Sequence, residues 1–277
     1  MAVLAVVGAG AGAARGAEVR RLVLRSGNEP RGVVTRVVVP AGWRPGRPAL
    51  LMVFLHDGRG SERSFERHGL AGVVAAYQRD GILPPVLVAS PRIRGTFVAD
   101  SPRGRMESFL ADDLVPALEK AFPGAGGSRG RRSVWGISMG GYGALKLALR
   151  HPGVFGRAAA LAPWVQHLSW EGYAAHRGLS GRWRVEPVFG SSRAESRFER
   201  NDLYRLAAEA DPAAVPPLLI RTGSEDRWES GAVELERVLR NRGIEVDAAS
   251  VPGAHHAWRD WARTAPAVIR WLCAEPR

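Results

Sequence analysis

Residues 133–150 read SVWGISMGGYGALKLALR, and this stretch decides the fold prediction. Residues 133–137 have the apolar pattern of a short strand, and residues 140–150 have that of a helix. Between them, Gly136-Ile137-Ser138-Met139-Gly140 fits Gly-x-Ser-x-Gly, in which serine occupies a sharp, strained strand-to-helix turn. Glycine is needed because a side chain two residues to either side of the serine would collide with neighbouring backbone. The stretch predicts a nucleophilic serine, Ser138, at a helix N-terminus, where partial positive charge favours developing negative charge.

Strand-like and helix-like segments alternate on both sides of this turn. The apolar run ALLMVFLH at 49–56 is typical of a strand buried on both faces. Further strands are predicted at 19–24, 33–39, 85–90, 158–161, 217–220 and 246–251, and helices at 64–79, 106–122, 231–242 and 258–272. This alternation predicts a single α/β domain over 18–277, with a mostly parallel central sheet flanked by helices.

One segment, 164–214, interrupts the alternation. It contains Trp164, Trp170 and Trp183 and many arginines. We interpret it as an insertion over the carboxyl edge of the sheet, a lid or pocket wall above the active site. The alternative is a pair of ordinary packing helices with a long loop.

The first seventeen residues are nearly all small or apolar. They resemble the hydrophobic half of a signal peptide, with Ala11-Gly12-Ala13 as a cleavage site, but lack its positively charged start. The alternative is a disordered leader, and either interpretation leaves 1–17 outside the fold. A signal peptide would indicate a secreted or periplasmic protein, and a plain leader a cytoplasmic one. No other stretch is long and apolar enough to predict a membrane span.

The charge pattern argues against nucleic acid as a partner. The formal net charge is +12, and only Lys120 and Lys146 among the 39 basic residues are lysines. The arginines are scattered along the chain, whereas a nucleic-acid-binding protein concentrates them on one face or in one tail. Attraction to anionic substrates or surfaces stays open.

The sequence also predicts no cofactor and no metal site. Cys273 is the only cysteine, which excludes an internal disulfide and a multi-cysteine metal site. No glycine-rich phosphate loop or dinucleotide-binding pattern is present.

An activated serine needs a histidine base and a carboxylate that orients it, in the chain order serine, acid, histidine for this kind of turn. The strand at 217–220 leads to TGSED at 222–226, which offers Asp226 and Glu225. The last strand leads to PGAHH at 252–256, which offers His255 and His256. Residue types and order alone leave both pairs open.

Four segments now carry a resemblance: LHDGRGS (55–61), GISMGGYGA (136–144), TGSED (222–226) and PGAHHAWRDW (252–261). With these the chain resembles the esterase D-like family of α/β-hydrolases, which includes feruloyl and acetyl xylan esterases, S-formylglutathione hydrolases, siderophore esterases and mycolyltransferases. The resemblance runs from about residue 33 to the C-terminus and is weakest in the insertion. It implies the α/β-hydrolase fold and a serine esterase.

The resemblance also implies roles for single residues. Asp226 matches the family's Gly-x-x-Asp acid, with Glu225 as the alternative. His256 is favoured as the base because aromatic residues follow it at the family's spacing. His255 would match a shorter Gly-Gly-His form, in which this chain has Ala254 in place of the second glycine.

The oxyanion hole should use the backbone N–H of Met139, the residue after the nucleophile. By resemblance, the second donor is the backbone N–H of Arg59. His56 and Asp57 precede Ser138 and are interpreted as shaping this loop. Trp164 and Trp258 are candidate substrate-binding residues, with burial in the core as the alternative.

These observations predict a serine carboxylic ester hydrolase that forms an acyl-enzyme on Ser138 with Asp226 and His256. The alternatives are an acyltransferase with the same site and a catalytically silent binding or scaffold protein. The expected substrate is a small-molecule or carbohydrate-linked ester. The sequence does not predict an oligomeric state.

Overall fold

The computed structural model describes residues 3–6, 17–175 and 185–274, and a mixed sheet runs through it. Nine strands form the sheet in the order β1-β2-β3-β5-β4-β8-β9-β10-β11, and β6 and β7 form a separate two-stranded ribbon. The strands are β1 Val3–Val6, β2 Ala17–Arg25, β3 Val33–Pro40, β4 Leu50–Leu55, β5 Val86–Pro91, β6 Asp100–Ser101, β7 Gly104–Arg105, β8 Arg132–Ile137, β9 Arg157–Leu161, β10 Leu218–Gly223 and β11 Val246–Val251.

The strand directions divide the sheet into two parts. From β5 through β4, β8, β9 and β10 to β11, every neighbouring pair is parallel. The pairs β1–β2, β2–β3 and β3–β5 are antiparallel. The carboxyl ends of the six parallel strands therefore meet at one edge, where loops with functional residues gather in such sheets.

Helices cover both faces of the sheet. Those of the described residues are α1 Ser64–Arg67, α2 Leu70–Arg79, α3 Met106–Ser108, α4 Val115–Ala121, α5 Met139–Arg150, α6 Trp170–Ala175, α7 Glu186–Phe189, α8 Leu203–Glu209, α9 Glu229–Asn241 and α10 Trp258–Cys273. Side chains along β4 alternate between two buried clusters: Leu51 and Val53 join the one under α5, and Met52 and Phe54 the one under α2 and α10. This two-sided burial explains the continuous apolar run in the sequence.

Two of the predicted helices are interrupted in the structure. The helix expected at 64–79 is broken into α1 and α2 by Gly69, whose φ of +79° is outside the helical range. The helix expected at 106–122 contains a π-helical turn, Phe109–Leu114, between α3 and α4. The turn ends just before Pro116, which lacks an N–H to donate to the carbonyl four residues earlier and clashes with it. The ribbon β6–β7 was not predicted.

Two parts of the segment 1–17, expected from the sequence to lie outside the fold, belong to strands in the structure. Val3–Val6 pairs antiparallel with β2, and β2 itself begins at Ala17. A short apolar segment satisfies its backbone hydrogen bonds by adding to an exposed sheet edge. The proposed cleavage site at Ala11-Gly12-Ala13 lies outside the described residues. Within the described ranges, no helix has the length and apolar character needed to cross a membrane.

A buried charge network fastens α5 to the helices and loops around it. The Lys146 Nζ, with no exposed side-chain surface, lies 3.1 Å from a Glu107 carboxylate oxygen and donates to Asn201 Oδ1 at 2.9 Å. Arg150 and His151 bind the same carboxylate at 2.8 and 3.0 Å. Burial by itself would raise the pKa of Glu107, but the lysine, histidine and arginine together hold it well below its ordinary value. Burial lowers the pKa of Lys146 to about 8 although Glu107 opposes that shift.

Replacing Glu107 tests this network. We expect Glu107→Gln to lower the free energy of unfolding at neutral pH by about 3–5 kcal/mol, because it leaves a buried ammonium without its counter-charge. A carboxylate whose pKa is lowered in the folded protein stabilises it at pH values above 4.5, the ordinary pKa of the group. This contribution is lost as the pH falls below that value. The difference in the free energy of unfolding between wild type and variant, measured by urea denaturation, should therefore become smaller below about pH 4.5.

The control is Glu18→Gln, which breaks the exposed Glu18–Arg20 pair and should change stability by less than about 1 kcal/mol. Equal losses in the two variants would contradict a stabilising role of the buried network.

Candidate active site

The site is built around the turn at Ser138, which joins β8 to α5. Ser138 has φ +55° and ψ −115°, a strained conformation for a residue with a side chain. Its N–H donates to the Leu161 carbonyl at 2.9 Å, and its carbonyl accepts from the N–H of Tyr142 and Trp164. The backbone is therefore held on both sides, and the half-buried side chain projects at the N-terminus of α5.

The glycines of the motif are required by close backbone contact. A Cβ on Gly140 would overlap the carbonyl group of Leu55 at the end of β4, and a Cβ on Gly136 would overlap the backbone of Gly140. Side chains at these positions would push α5 away from the sheet. The contact brings the loop after β4 next to the serine.

His256 reaches Ser138 from the loop between β11 and α10. Its Nε2 lies 2.9 Å from Ser138 Oγ, and its Nδ1 lies 2.6 Å from Asp226 Oδ2. An ionised carboxylate only accepts hydrogen bonds, so Nδ1 carries the proton and Nε2 presents its lone pair to the serine hydroxyl. Trp261 packs edge-on against the imidazole, with ring centroids 4.8 Å apart. The ring is thereby held in one tautomer and orientation, with the Nε2 lone pair toward Ser138 Oγ.

Asp226 occupies the turn that follows β10. Its side chain has no exposed surface. Its second oxygen, Oδ1, accepts the N–H of Trp228 at 2.9 Å. Both carboxylate oxygens are therefore engaged, one by backbone and one by His256.

The loops that carry the acid and the histidine are packed together through their backbones. A Cβ on Gly223 would overlap the carbonyl group of Ala254. Ser224 N–H donates to the Val251 carbonyl at 3.0 Å, and Gly253 N–H donates to Ser224 Oγ at 2.9 Å. The separation between the carboxylate and the imidazole is thus set by the β10–β11 pairing.

The alternative residues lie elsewhere. Glu225 is exposed and only its backbone N–H contacts the histidine loop, at the Ala254 carbonyl. His255 is exposed, and its N–H donates to Asp260 Oδ2 at 2.9 Å. That hydrogen bond, helped by Arg259 and Arg263, lowers the pKa of Asp260 to about 2.

The loop after β4 is held by His56 and Asp57. His56 is fully buried, and its Nε2 accepts the Ile93 N–H at 3.0 Å, so its Nδ1 carries the proton and donates to the Asp57 carbonyl at 2.7 Å. Burial lowers the pKa of His56 and favours this neutral form. Asp57 Oδ2 accepts the indole N–H of Trp258 at 2.8 Å. Trp258 therefore ties the loop to the start of α10, two residues after His256.

Two backbone N–H groups remain without an acceptor among the described residues. Met139 is the first residue of α5, and Arg59 lies in the loop after β4. Neither N–H makes a hydrogen bond within 17–175 and 185–274. They are free to bind an oxygen of a ligand.

A cavity of about 480 Å³ opens over Ser138 and His256. Trp164 and Trp258, the two tryptophans predicted as substrate-binding residues, both line it. Trp164 is also part of the core, buried against Phe97 and Tyr142 at centroid distances of 4.8 and 5.4 Å. Among the described residues of the insertion, Trp164 is the one that lines this cavity.

Several residues of the cavity wall were not predicted from the sequence. His68 stacks on Trp258 with the ring planes 6° apart and the centroids 3.6 Å apart. Arg67, Arg227 and Trp228 also line the cavity. Arg227 and Trp228 follow Asp226 directly, which is a signal that the sequence offered, whereas no motif surrounds Arg67 or His68. Over the described ranges, no cluster of three or more histidine, cysteine or carboxylate side chains is arranged to hold a metal ion.

The Gly140 contact yields a prediction. Gly140→Ala should lower the free energy of unfolding by about 1–3 kcal/mol, because the methyl group meets backbone that cannot move aside cheaply. Gly72→Ala is the control, since Gly72 lies inside α2 with open space around its Cα and should gain about 0.5–1 kcal/mol. Urea denaturation measures both, and a Gly140→Ala variant as stable as wild type would contradict the steric argument.

Comparison with known proteins agrees with this architecture. Among solved structures, a ferulic acid esterase superposes with a TM-score of 0.77 over 93% of this chain and 98% of its own, at 18% identity. An S-formylglutathione hydrolase from Staphylococcus aureus superposes with a TM-score of 0.74 over 93% and 99%, also at 18% identity. The predicted α/β-hydrolase fold is confirmed.

Similarity in sequence extends to curated proteins. Esterase Rv1288 of Mycobacterium tuberculosis is 28% identical over 85% of this chain, and the chain spans 58% of that protein's length. A model of the family described as "Putative esterase" matches residues 28–272. The chain belongs to this esterase family of α/β-hydrolases.

Proposed function

We propose that the protein is a serine carboxylic ester hydrolase that works through an acyl-enzyme on Ser138. One observation carries the proposal: the hydrogen-bonded series from Ser138 Oγ through His256 to the buried Asp226 carboxylate. Family membership supports the same class of reaction.

In this proposal His256 is the general base. Its Nε2 takes the proton of Ser138 as Oγ attacks the ester carbonyl carbon, and then gives it to the departing alcohol. Water attacks the acyl-enzyme in a second round, with the imidazole again removing and returning a proton. Asp226 holds the Nδ1–H tautomer and stabilises the imidazolium that forms in each round.

The free N–H groups of Met139 and Arg59 supply the oxyanion hole. Two donors that converge beside the nucleophile stabilise the tetrahedral intermediate, and loss of one such donor typically costs ~10²–10³ in rate. The position of Met139 at the start of α5 adds the partial positive charge of the helix N-terminus.

The cavity wall supports a small-molecule or carbohydrate-linked ester as substrate. Trp164, Trp228, Trp258 and Trp261 offer flat apolar surfaces, which suit an aromatic acyl group or a sugar ring. The insertion at 164–214 is proposed to form part of the wall through Trp164.

Labelling and turnover test the nucleophile and the base. We expect Ser138→Ala to reduce turnover of p-nitrophenyl acetate by about 10⁶-fold and to abolish labelling by a fluorophosphonate probe. His256→Ala should cause a similar loss, while His255→Ala, which removes an exposed imidazole at the neighbouring position, should label at a rate near that of wild type. Peptide mass mapping locates the label.

A folded wild-type protein that resists the probe would contradict the proposal and favour a silent binding protein. Equal losses in the His255 and His256 variants would contradict the assignment of the base. Product analysis with a sugar alcohol present separates hydrolysis from acyl transfer.

Trp258 provides a test of the loop after β4. Trp258→Phe keeps an aromatic ring against His68 but removes the donor to Asp57, which leaves a buried carboxylate oxygen without a partner at a cost of about 1–3 kcal/mol. We expect lower stability and a lower kcat with little change in KM, because the loop would lose its hold on the Arg59 N–H.

The control is Trp43→Phe, which removes an indole hydrogen bond to the Arg47 carbonyl far from the site. Unchanged kcat in Trp258→Phe would contradict the link between Asp57 and the oxyanion hole.

A further inference from the structure

Three arginines line the cavity that contains Ser138 and His256. Arg59 comes from the loop after β4, Arg67 from the end of α1, and Arg227 from the turn after β10. All three side chains are exposed, and together they are called the rim of the cavity. They approach the same space from three separate segments, so their proximity is a product of the fold and not of a basic run in the sequence.

These three arginines form no ion pair with another described residue. No side-chain hydrogen bond or ion pair joins any of them to another residue of the described ranges, apart from the guanidinium of Arg227 over the Trp228 ring at 5.6 Å. Many other arginines of the chain are paired, as Arg132 is with Glu119 at 2.7 Å. The cationic rim is therefore left unneutralised by the surrounding residues.

Most carboxylates near these arginines in sequence have other partners. On the Arg227 side, Asp226 binds His256 at 2.6 Å and Glu229 accepts from Ser250 at 2.7 Å, while Glu225 is exposed. Glu66 forms a two-pronged pair with Arg36 at 2.5 and 2.7 Å, and Glu62 forms one with Arg92 at 2.7 and 3.0 Å. Asp57 is the one carboxylate among the residues that line the cavity, and it is buried and bonded to Trp258. Among the residues that line the cavity, three arginines thus stand against one carboxylate, the buried Asp57.

A cleft lined by one sign of charge concentrates ligands of the opposite sign. Arginine also binds carboxylate and phosphate groups through paired N–H donors. We propose that the substrate ester carries an anionic group, most simply a carboxylate, which binds at the rim between Arg67 and Arg227 while the tryptophans contact its apolar part. This inference rests on the proposed esterase function, and names the substrate class of that same site.

The test compares esters that differ in one charge. For an anion on the alcohol side the pair is 4-acetoxybenzoate and its methyl ester; for an anion on the acyl side it is mono-4-nitrophenyl adipate and its methyl ester. The quantity measured is the ratio of kcat/KM for the anionic ester to kcat/KM for the neutral one. The pair with the higher ratio shows which side of the scissile bond faces the rim.

We expect that ratio to fall about fivefold in Arg67→Gln and in Arg227→Gln, and about twentyfold in the double variant, as for exposed ion pairs. Arg63→Gln is the matched control, because Arg63 is exposed beside α1 but does not line the cavity, and it should keep the wild-type ratio. Raising salt from about 0.01 to about 0.1 M shortens the screening length from about 30 to about 10 Å. This change should lower the ratio in wild type more than in the double variant.

Ratios that stay unchanged in both arginine variants for both pairs would overturn the inference while leaving the esterase proposal intact. Absence of turnover for all four esters, together with absence of fluorophosphonate labelling, would overturn the proposed function and the inference with it. Equal falls in the Arg63 control would also overturn it, since the effect would then reflect overall charge.

Discussion

The close backbone contact between α5 and the end of β4 is the constraint on which the rest of the site depends. Only a residue without a Cβ fits at Gly140, against the Leu55 carbonyl, and at Gly136, against Gly140 itself. The chain can then leave β8 through the positive φ of Ser138 and enter a helix at once. Because of this contact, Ser138, the helix N-terminus and the loop after β4 lie close together.

The other parts of the site reach Ser138 because they follow neighbouring parallel strands. Asp226 follows β10, and His256 follows β11, the strand beside it. The contact of Gly223 with Ala254 holds their loops in register. Two further contacts hold the loop after β4 and the helix α5 in place. Trp258 binds Asp57 of that loop, and Lys146 of α5 pairs with Glu107. A serine hydroxyl, a weak nucleophile alone, gains its reactivity from such positioning.

The buried charged residues near the site differ from the exposed arginines at the rim in whether they are paired. In the interior, Asp226 is bonded to His256 and a backbone N–H, and Glu107 is paired with Lys146 and Arg150. At the rim, Arg67 and Arg227 have no carboxylate partner in the described chain. Burying an unpaired charge is costly, whereas a solvated one is tolerated and remains available to a ligand. The same physical rule thus accounts for the paired charges of the interior and for the unpaired arginines at the rim.

The sequence by itself determined the alternation of strands and helices, the turn at Ser138 and the chain order of serine, acid and histidine. These features depend on local patterns: apolar periodicity, and glycines where the backbone is crowded. Strand bounds agree with the prediction to within a few residues. The break at Gly69 and the π-helical turn before Pro116 were missed, although a glycine and a proline mark both places in the sequence. Only the tertiary structure decided that His256 and not His255 faces Ser138, that Trp258 bonds to Asp57, and that Arg59, Arg67 and Arg227 line one cavity. Those contacts join residues up to about two hundred positions apart, and their geometry follows from strand order and helix packing, which no local pattern encodes.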